Sequence, residues 1–249
     1  PEFAQLALEV FHGLQQIFKT TGTVVIYPSS GTGAWEAALV NTLSPGDTVL
    51  MFETGYFAAL WRGLALKLGL EVDFVPGDWR HGVDPAVVEK KLAADRDRKI
   101  KAVAIVHNET STGVTSRIGE IRKALDRTGH PALLLVDTIS SLGSIDYRHD
   151  EWGVDVTVGC SQKGLMLPPG LGFNAISQNF FIILSDGDHA SSLILHTDLN
   201  VFYFNFSFYI IIVSVKIVTI NNDVSAFDFS KLVAVFQLTS IQCRQVGII

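Results

Sequence analysis

The chain has 249 residues, of which 48% are hydrophobic, so it can enclose a large core. Its formal net charge of −6 provides no general attraction to nucleic acid or to an anionic membrane, and neither partner is predicted. Two cysteines, Cys160 and Cys243, are too few for a disulfide framework or a zinc site, so no metal is predicted and a reducing compartment is favoured.

The first predicted element is an amphipathic helix, because hydrophobic residues recur at helical spacing between Phe3 and Phe18. This segment lacks the basic start, apolar block and cleavage site of a signal peptide. Secretion is therefore not predicted.

From residue 21 to residue 177, short apolar runs alternate with longer helical patterns, which is typical of a wound α/β domain. Strands are predicted at 23–27, 48–52, 71–75, 101–106, 132–137 and 155–160, with 172–177 as a candidate seventh. Helices are predicted at 34–43, 56–68, 85–94 and 117–128, the third of them capped by Asp84. Most strands are apolar without alternation, so we expect a mainly parallel sheet with helices on both faces, in three layers. Such sheets bind ligands at the carboxyl ends of their strands.

A turn with two glycines follows the first predicted strand, in the sequence PSSGTGAWEAAL. Gly31 and Gly33 allow a tight bend that exposes backbone N–H groups at a helix start, which favours an anion such as phosphate. An ordinary strand-to-helix connection is the alternative. A nucleoside-triphosphate loop is not predicted, because no GK[ST] ending follows. A nicotinamide-dependent oxidoreductase stays a rival, since Glu53 has the spacing of a ribose ligand, although Glu36 stands where a third small residue is expected.

Aromatic residues follow the second predicted strand, and polar residues follow the fourth. Tyr56, Phe57 and Trp61 lie where a ring could stack on a planar cofactor, and covering the core is the alternative. The loop HNETSTG, residues 107–113, offers hydroxyl groups that could orient a ligand, although these residue types also form turns.

A carboxylate ends the fifth predicted strand, and a lysine follows the sixth. Asp137 closes the apolar run LLLVD, where it suits a cationic ring nitrogen, with a helix cap or loop brace as the alternative. Lys163 lies in SQKGLMLPPG, whose apolar residues would desolvate the amine and favour its neutral, nucleophilic form. A solvated surface lysine is the alternative.

Together these features match the requirements of pyridoxal 5'-phosphate: a phosphate site, a stacking ring, a hydroxyl for the phenolic oxygen, an acid for the ring nitrogen and an amine. In SSGTGAWEAAL, HNETSTGV, LLLVDTISSLGS and GCSQKGLMLPPGLGF the sequence resembles the class V (fold type I) aminotransferases, most closely the serine–glyoxylate and alanine–glyoxylate aminotransferase branch. The resemblance extends from about residue 1 to Ser177. It implies the aspartate aminotransferase-like large domain of pyridoxal-phosphate-dependent transferases.

The resemblance implies a role for each matching residue. Lys163 matches the lysine that forms a Schiff base with the cofactor, and Asp137 matches the partner of the ring nitrogen. Phe57 matches the stacking aromatic residue, and Thr110 matches the hydroxyl that reaches the phenolic oxygen. The other implied cofactor contacts are Thr32, Gly33, Ala34 and Gln162. Cysteine desulfurases of this class carry histidines where this chain has Phe57 and Gln162, so transamination is favoured.

The implied activity is a ping-pong transamination that moves an amino group from serine or alanine to glyoxylate or another 2-oxo acid. The resemblance also implies a homodimer, if the full domain is present, in the cytoplasm or the peroxisome. The alternatives are another class V enzyme of the lyase or desulfurase type, and an inactive fragment that binds the cofactor or dimerises.

Residues 178–249 differ sharply in composition from the preceding sequence, since they contain no Pro or Trp. We expect an N-terminally incomplete large domain at 1–177, followed by an atypical, disordered or strand-rich tail of foreign or mistranslated origin in place of the family's small domain. Arg244 matches no motif, so no arginine is assigned to the substrate carboxylate. Residues 201–215 have strand spacing, and a strand or aggregation-prone segment is favoured over a membrane span.

Overall fold

The structure is a computed structural model that describes residues 2–178, and from Phe11 onward these residues belong to one compact unit. The helices are α1 (Glu2–Phe18), α2 (Gly31–Thr42), α3 (Tyr56–Lys67), α4 (Pro85–Ala94) and α5 (Ile118–Thr128). The strands are β1 (Thr23–Ser29), β2 (Thr48–Phe52), β3 (Glu71–Val75), β4 (Ile100–Val106), β5 (Leu133–Asp137), β6 (Val156–Cys160) and β7 (Gly170–Ile176). Every predicted element within the described range forms, including the candidate seventh strand.

The strands form a single sheet in the order β1-β7-β6-β5-β4-β2-β3. Neighbours from β3 to β6 pair in parallel, and β7 is antiparallel to both β6 and β1. All strands except β7 therefore point in one direction, which confirms the prediction of a mainly parallel sheet. Their last residues meet at one edge of the sheet, which we call the carboxyl edge.

The central strands bury side chains on both faces of the sheet. On β5, Leu134 and Val136 belong to one core, whereas Leu135 belongs to the other. The first core is covered by the end of α1 and by α4 and α5, and the second by α2 and α3. This arrangement explains the unbroken apolar runs of the sequence and confirms the three-layer prediction.

Small side chains on β4 make room for large rings in the second core. Ala102 and Ala104 are buried there, beside Trp35 of α2 and Trp61 of α3. The two indole rings are stacked, with centroids 5.7 Å apart and an interplanar angle of 11°. Trp61 is therefore a core residue that joins α2 to α3, as the alternative interpretation of this aromatic residue held.

Two helix starts differ in how well the sequence predicts them. The helix at Pro85 begins as expected, because the Asp84 side chain accepts a hydrogen bond from the Ala86 N–H at 2.9 Å. The second helix begins at Gly31, three residues before the predicted start. Glycine is a poor helix former, so the pattern placed both glycines in a turn, but the structure includes them in the first helical turn.

Among residues 2–178, no helix is long and apolar enough to cross a membrane. The same residues contain no group of three His, Cys, Asp or Glu side chains that could hold a metal ion. The predictions made for 201–215 and for Arg244 lie outside the described residues.

Candidate active site

The side chain of Lys163 meets two of the predicted site residues at the carboxyl edge. Its Nζ donates a hydrogen bond to Thr110 Oγ1 at 2.9 Å. The same nitrogen lies 5.0 Å from the centroid of the Phe57 ring, a cation–π distance. Three separate segments, after β2, β4 and β6, thus converge on one amine. Tyr56, the remaining candidate aromatic residue, is 54% exposed and contacts Phe57 edge to face.

Lys163 lies in a tight turn that directly follows β6. Its φ of 68° is in the left-handed region, and a Cβ on Gly164 would lie 2.1 Å from the Leu142 carbonyl oxygen. The expected apolar enclosure of the amine is not found, because the lysine is exposed and so are Met166 and Leu167, at 89% and 54%. The turn leaves this apolar run outside the core.

Asp137 is the last residue of β5, and only 4% of it is exposed. Burial raises the pKa of its carboxyl group to about 7. Smaller opposing effects come from the Ile139 N–H, which donates to Oδ1 at 2.7 Å, from the nearby Trp35 indole N–H, and from the positive charge of Lys163. The Trp35 nitrogen makes no hydrogen bond of normal geometry. Asp137 therefore has acceptor capacity for a further, cationic partner.

The start of α2 presents backbone N–H groups that have no acceptor within the helix, those of Gly31, Thr32 and Gly33. The first helical bond runs from the Ala34 N–H to the Ser30 carbonyl oxygen at 3.1 Å, and the Ser30 side chain makes no capping bond. A Cβ on Gly31 would lie 2.4 Å from Ile139 Cδ1, so the helix start packs against the residue two positions beyond Asp137. Free amides at a helix start favour an anion.

Glu109 is the site residue that the sequence analysis missed. It is completely buried, and its carboxylate accepts four hydrogen bonds. Oε1 accepts from the Phe57 N–H at 3.3 Å, from the Ser111 N–H at 3.1 Å and from the Ser111 hydroxyl at 2.7 Å. Oε2 accepts from the Ala58 N–H at 3.0 Å. In the sequence it was one polar residue among several in the 107–113 loop.

Other polar side chains of the 107–113 loop form hydrogen bonds to neighbouring segments. His107 Nδ1 lies 2.9 Å from Ser141 Oγ, and burial lowers the pKa of His107 to about 4. The Asn108 side-chain amide donates to Ser140 Oγ at 2.8 Å. Thr112 Oγ1 donates to the Thr54 carbonyl oxygen at 3.3 Å. These side chains therefore hold the loop against neighbouring segments, whereas Thr110 contacts Lys163.

Comparison with known proteins now places this geometry in a family. The family model for aminotransferase class-V matches residues 2–198. The chain belongs to the class-V aminotransferases. This confirms the family that the sequence motifs predicted.

Three class-V relatives show how far the similarity extends. Serine–glyoxylate aminotransferase of Methylorubrum extorquens is 50% identical over 71% of this chain and 44% of its own length. L-Aspartate–glyoxylate aminotransferase of Paracoccus denitrificans is 49% identical over 69% of this chain and 43% of its own length. The crystal structure of alanine–glyoxylate aminotransferase from Nostoc sp. aligns with a TM-score of 0.69 and 31% identity, over 76% of this chain and 49% of that one. The chain thus spans less than half the length of these relatives.

Class-V aminotransferases imply pyridoxal phosphate as cofactor, and the residues present fit this group. Within the described residues, Gln162 Oε1 is buried without a hydrogen-bond partner, directly before Lys163. The free amides of α2 suit a phosphate, and the buried Asp137 suits a protonated ring nitrogen. The dinucleotide interpretation lacks such support, because Glu53 Oε1 accepts a hydrogen bond from Trp79 Nε1 at 3.2 Å instead of standing free for a ribose.

Proposed function

We propose that this chain is the cofactor-binding large domain of a pyridoxal-phosphate-dependent aminotransferase that moves an amino group from serine or alanine to glyoxylate. The observation that carries the proposal is the contact of Lys163 Nζ with Thr110 and Phe57, at the edge that also holds Asp137 and the open start of α2. The three relatives described above share glyoxylate in their names and differ in the amino donor, so glyoxylate is the better supported substrate.

Each proposed role follows from the chemistry of the side chain. Bound pyridoxal phosphate would supply a ring that takes up the electron pair of a deprotonated substrate Cα. Lys163 would attach the cofactor and, once released, take the proton from the substrate Cα and deliver it to C4′ of the cofactor. Asp137 would accept a hydrogen bond from the protonated ring nitrogen. Phe57 would cover one face of the ring, and the Thr110 hydroxyl would donate a hydrogen bond to the phenolic oxygen.

The phosphate would lie at the start of α2. Gly31, Thr32 and Gly33 would donate their backbone N–H groups, and Gln162 would offer its side chain. Ala34 would contribute close packing only, because its N–H already donates to Ser30 within the helix. We retain residues 1–177 as the proposed large domain, an atypical tail beyond it, a homodimer and an intracellular location in the cytoplasm or the peroxisome.

A second candidate is an inactive fragment that binds the cofactor without turnover. The observation that favours it is that no arginine of this sequence is assigned to the substrate carboxylate. The two candidates agree on cofactor binding and differ only in whether an amino group is transferred.

Cofactor attachment is tested by adding pyridoxal phosphate to the purified chain and reducing the mixture with borohydride. We expect an absorbance band near the visible edge that disappears on reduction, with the label on Lys163. Lys163→Ala should abolish the label, whereas Lys90→Ala, which removes an exposed lysine of α4, should leave it unchanged. A wild-type label spread over many lysines would contradict the proposal.

Turnover is tested by adding serine, alanine or aspartate to the loaded protein, followed by glyoxylate. Conversion of the cofactor to its aminated form by serine or alanine, with glycine formed from glyoxylate, is the expected result. Attachment to Lys163 without conversion by any donor would select the inactive fragment. Conversion by aspartate alone would replace the proposed donors.

A further inference from the structure

The start of α3 is capped by residues from a distant loop. The first three N–H groups of the helix donate to side chains that follow β4: Tyr56 N–H to Ser111 Oγ at 3.0 Å, and the amides of Phe57 and Ala58 to Glu109. A helix cap normally comes from the residue that precedes the helix. Here Glu109 occupies the capping position from the neighbouring strand.

Gly55 explains why the cap comes from elsewhere. It precedes α3 and has no side chain that could accept a hydrogen bond. A Cβ at this position would lie 2.4 Å from Glu109 Cγ and 2.6 Å from Ser111 Oγ. The missing side chain therefore leaves the space in which the Glu109 carboxylate reaches the helix.

This cap joins the two groups that contact the lysine. Phe57 is in the first turn of α3, and its own N–H is bound by Glu109. Thr110 lies between Glu109 and Ser111, both of which are tied to that turn. The distance from the Phe57 ring to the Thr110 hydroxyl, and hence the position of Lys163 Nζ between them, depends on one buried carboxylate.

We propose that Glu109 is a positioning residue that holds Phe57 and Thr110 in place around Lys163, a role whose catalytic importance rests on the proposed function. Its charge suits the site, because a carboxylate is favourable at a helix start and four donors satisfy its oxygens. Glu109 contacts neither Lys163 nor the open start of α2 through any hydrogen bond of the described residues. It acts on Lys163 through Phe57 and Thr110.

Glu109→Gln is the informative variant, because an amide keeps the size of the side chain but turns an N–H₂ group toward backbone N–H groups. The control is Asp84→Ala, which removes the cap of α4 on the opposite face of the sheet. Both variants should weaken one helix start. Only Glu109→Gln should alter the surroundings of Lys163.

Two measurements on the cofactor-free protein separate positioning from stability. Amide hydrogen exchange at residues 56–58 should be about fivefold faster in Glu109→Gln, the change expected from a lost helix cap. Acylation of Lys163 by a limiting amine reagent, followed by mass spectrometry, should be about threefold faster, because a side chain freed from its hydroxyl and ring contacts is more accessible. Asp84→Ala should change exchange at α4 only.

Wild-type acylation of Lys163 in folded Glu109→Gln would overturn the proposal. If that variant does not fold, Glu109→Asp decides on the same terms, since it keeps the charge but shortens the side chain that reaches the Phe57 and Ala58 amides. In the loaded protein, Glu109→Gln should raise the dissociation constant of pyridoxal phosphate about tenfold. If wild-type protein fails to attach the cofactor, the proposed function falls, while the acylation result still decides the role of Glu109.

Discussion

Two helices begin at the carboxyl edge, α2 at Gly31 and α3 at Tyr56, and the chain treats their first amides in opposite ways. At α2 the preceding Ser30 makes no side-chain cap, and three N–H groups have no acceptor within the helix. At α3 the first three N–H groups are bound by Glu109 and Ser111. An open start is available to an anion from outside the chain, whereas a closed start fixes the geometry of the side chains that it carries.

The two buried carboxyl groups of the site follow the same division. Glu109 accepts four hydrogen bonds from the chain. Asp137 accepts one, from the Ile139 N–H, and its burial raises its pKa to about 7. Donors within the chain therefore occupy the acceptor sites of Glu109, whereas Asp137 retains acceptor capacity for a partner.

The contrast between the two carboxyl groups predicts a pH effect, the largest of the effects expected here. The pKa of Asp137 is about 7 in the folded protein against 3.8 when unfolded, so the unfolded state releases its proton first as the pH rises. The free energy of unfolding should therefore fall between about pH 4 and pH 7, by about 4 kcal/mol from this group, and stay level above. Asp137→Asn should remove this fall.

Urea denaturation at a series of pH values provides the measurement. The quantity to compare is the difference between Asp137→Asn and wild type, because His107 and His149, whose pKa values burial lowers to about 4, act with the opposite sign in both proteins. A difference that does not change with pH would show that Asp137 ionises normally in the folded protein.

Closing the open helix start with a charge is the second test. Thr32→Asp places a carboxylate in the first turn of α2, where it should stabilise the cofactor-free protein by about 0.5 kcal/mol. It should also weaken pyridoxal phosphate binding roughly 100-fold, since like charges about 4 to 5 Å apart repel by about 3 kcal/mol near a protein surface. An absorbance titration checks the affinity. Thr32→Asn, which has the same shape without the charge, should change it less than about threefold.

Crowding the closed helix start is the third test, with a control on the same helix. Gly55→Ala should lower the free energy of unfolding by about 2 kcal/mol, because its Cβ would meet Glu109. Gly63→Ala should raise it by about 0.5 to 1 kcal/mol, since Gly63 lies within α3 and an added Cβ meets nothing within 4 Å. Equal and small effects at the two glycines, measured in urea, would contradict the tight contact at α3.

The smallest expected effect concerns the hydrogen bond between the start of α3 and Ser111 of the 107–113 loop. Ser111→Ala frees one amide of α3, so it should lower the free energy of unfolding by about 1 kcal/mol. Cofactor affinity should change less than about threefold if Glu109 alone holds the two segments in place. A loss of affinity as large as that of Glu109→Gln would assign the positioning role to the hydroxyl as well.

The elements of the fold were predictable because local signals and burial agree. The run TVLMF is apolar throughout and forms β2 at the predicted residues, 48–52. Asp84 and Pro85 supply a cap and a first-turn residue, and α4 begins and ends as expected. The start of α2 was misplaced, because the packing of Gly31 on Ile139 is a contact between segments far apart in sequence.

The sequence predicted which residues of the candidate site meet at the carboxyl edge, but not the contacts that support them. Lys163, Asp137, Phe57 and Thr110 stand out because each follows a strand with a side chain unusual for its place. The position of Glu109 at the start of α3 depends on the pairing of β2 with β4, and the sequence does not reveal that β4 lies beside β2. The sequence signals of this role are indirect: Gly55 offers no side-chain cap to the helix that follows, and Glu109 is an acid in a loop of hydroxyl residues.

The position of β7 has a consequence for how the chain folds. It lies between β1 and β6, and within residues 2–178 it is the one strand that pairs with β1. Thr23 therefore meets its partner Ile176 only across most of the described sequence. A pairing so distant along the chain is slow to form, because the entropy of closing a large loop is lost before the contact is gained. The segment that leads into α2 is therefore synthesised early and anchored late, so β1 is expected to be one of the last strands to pair.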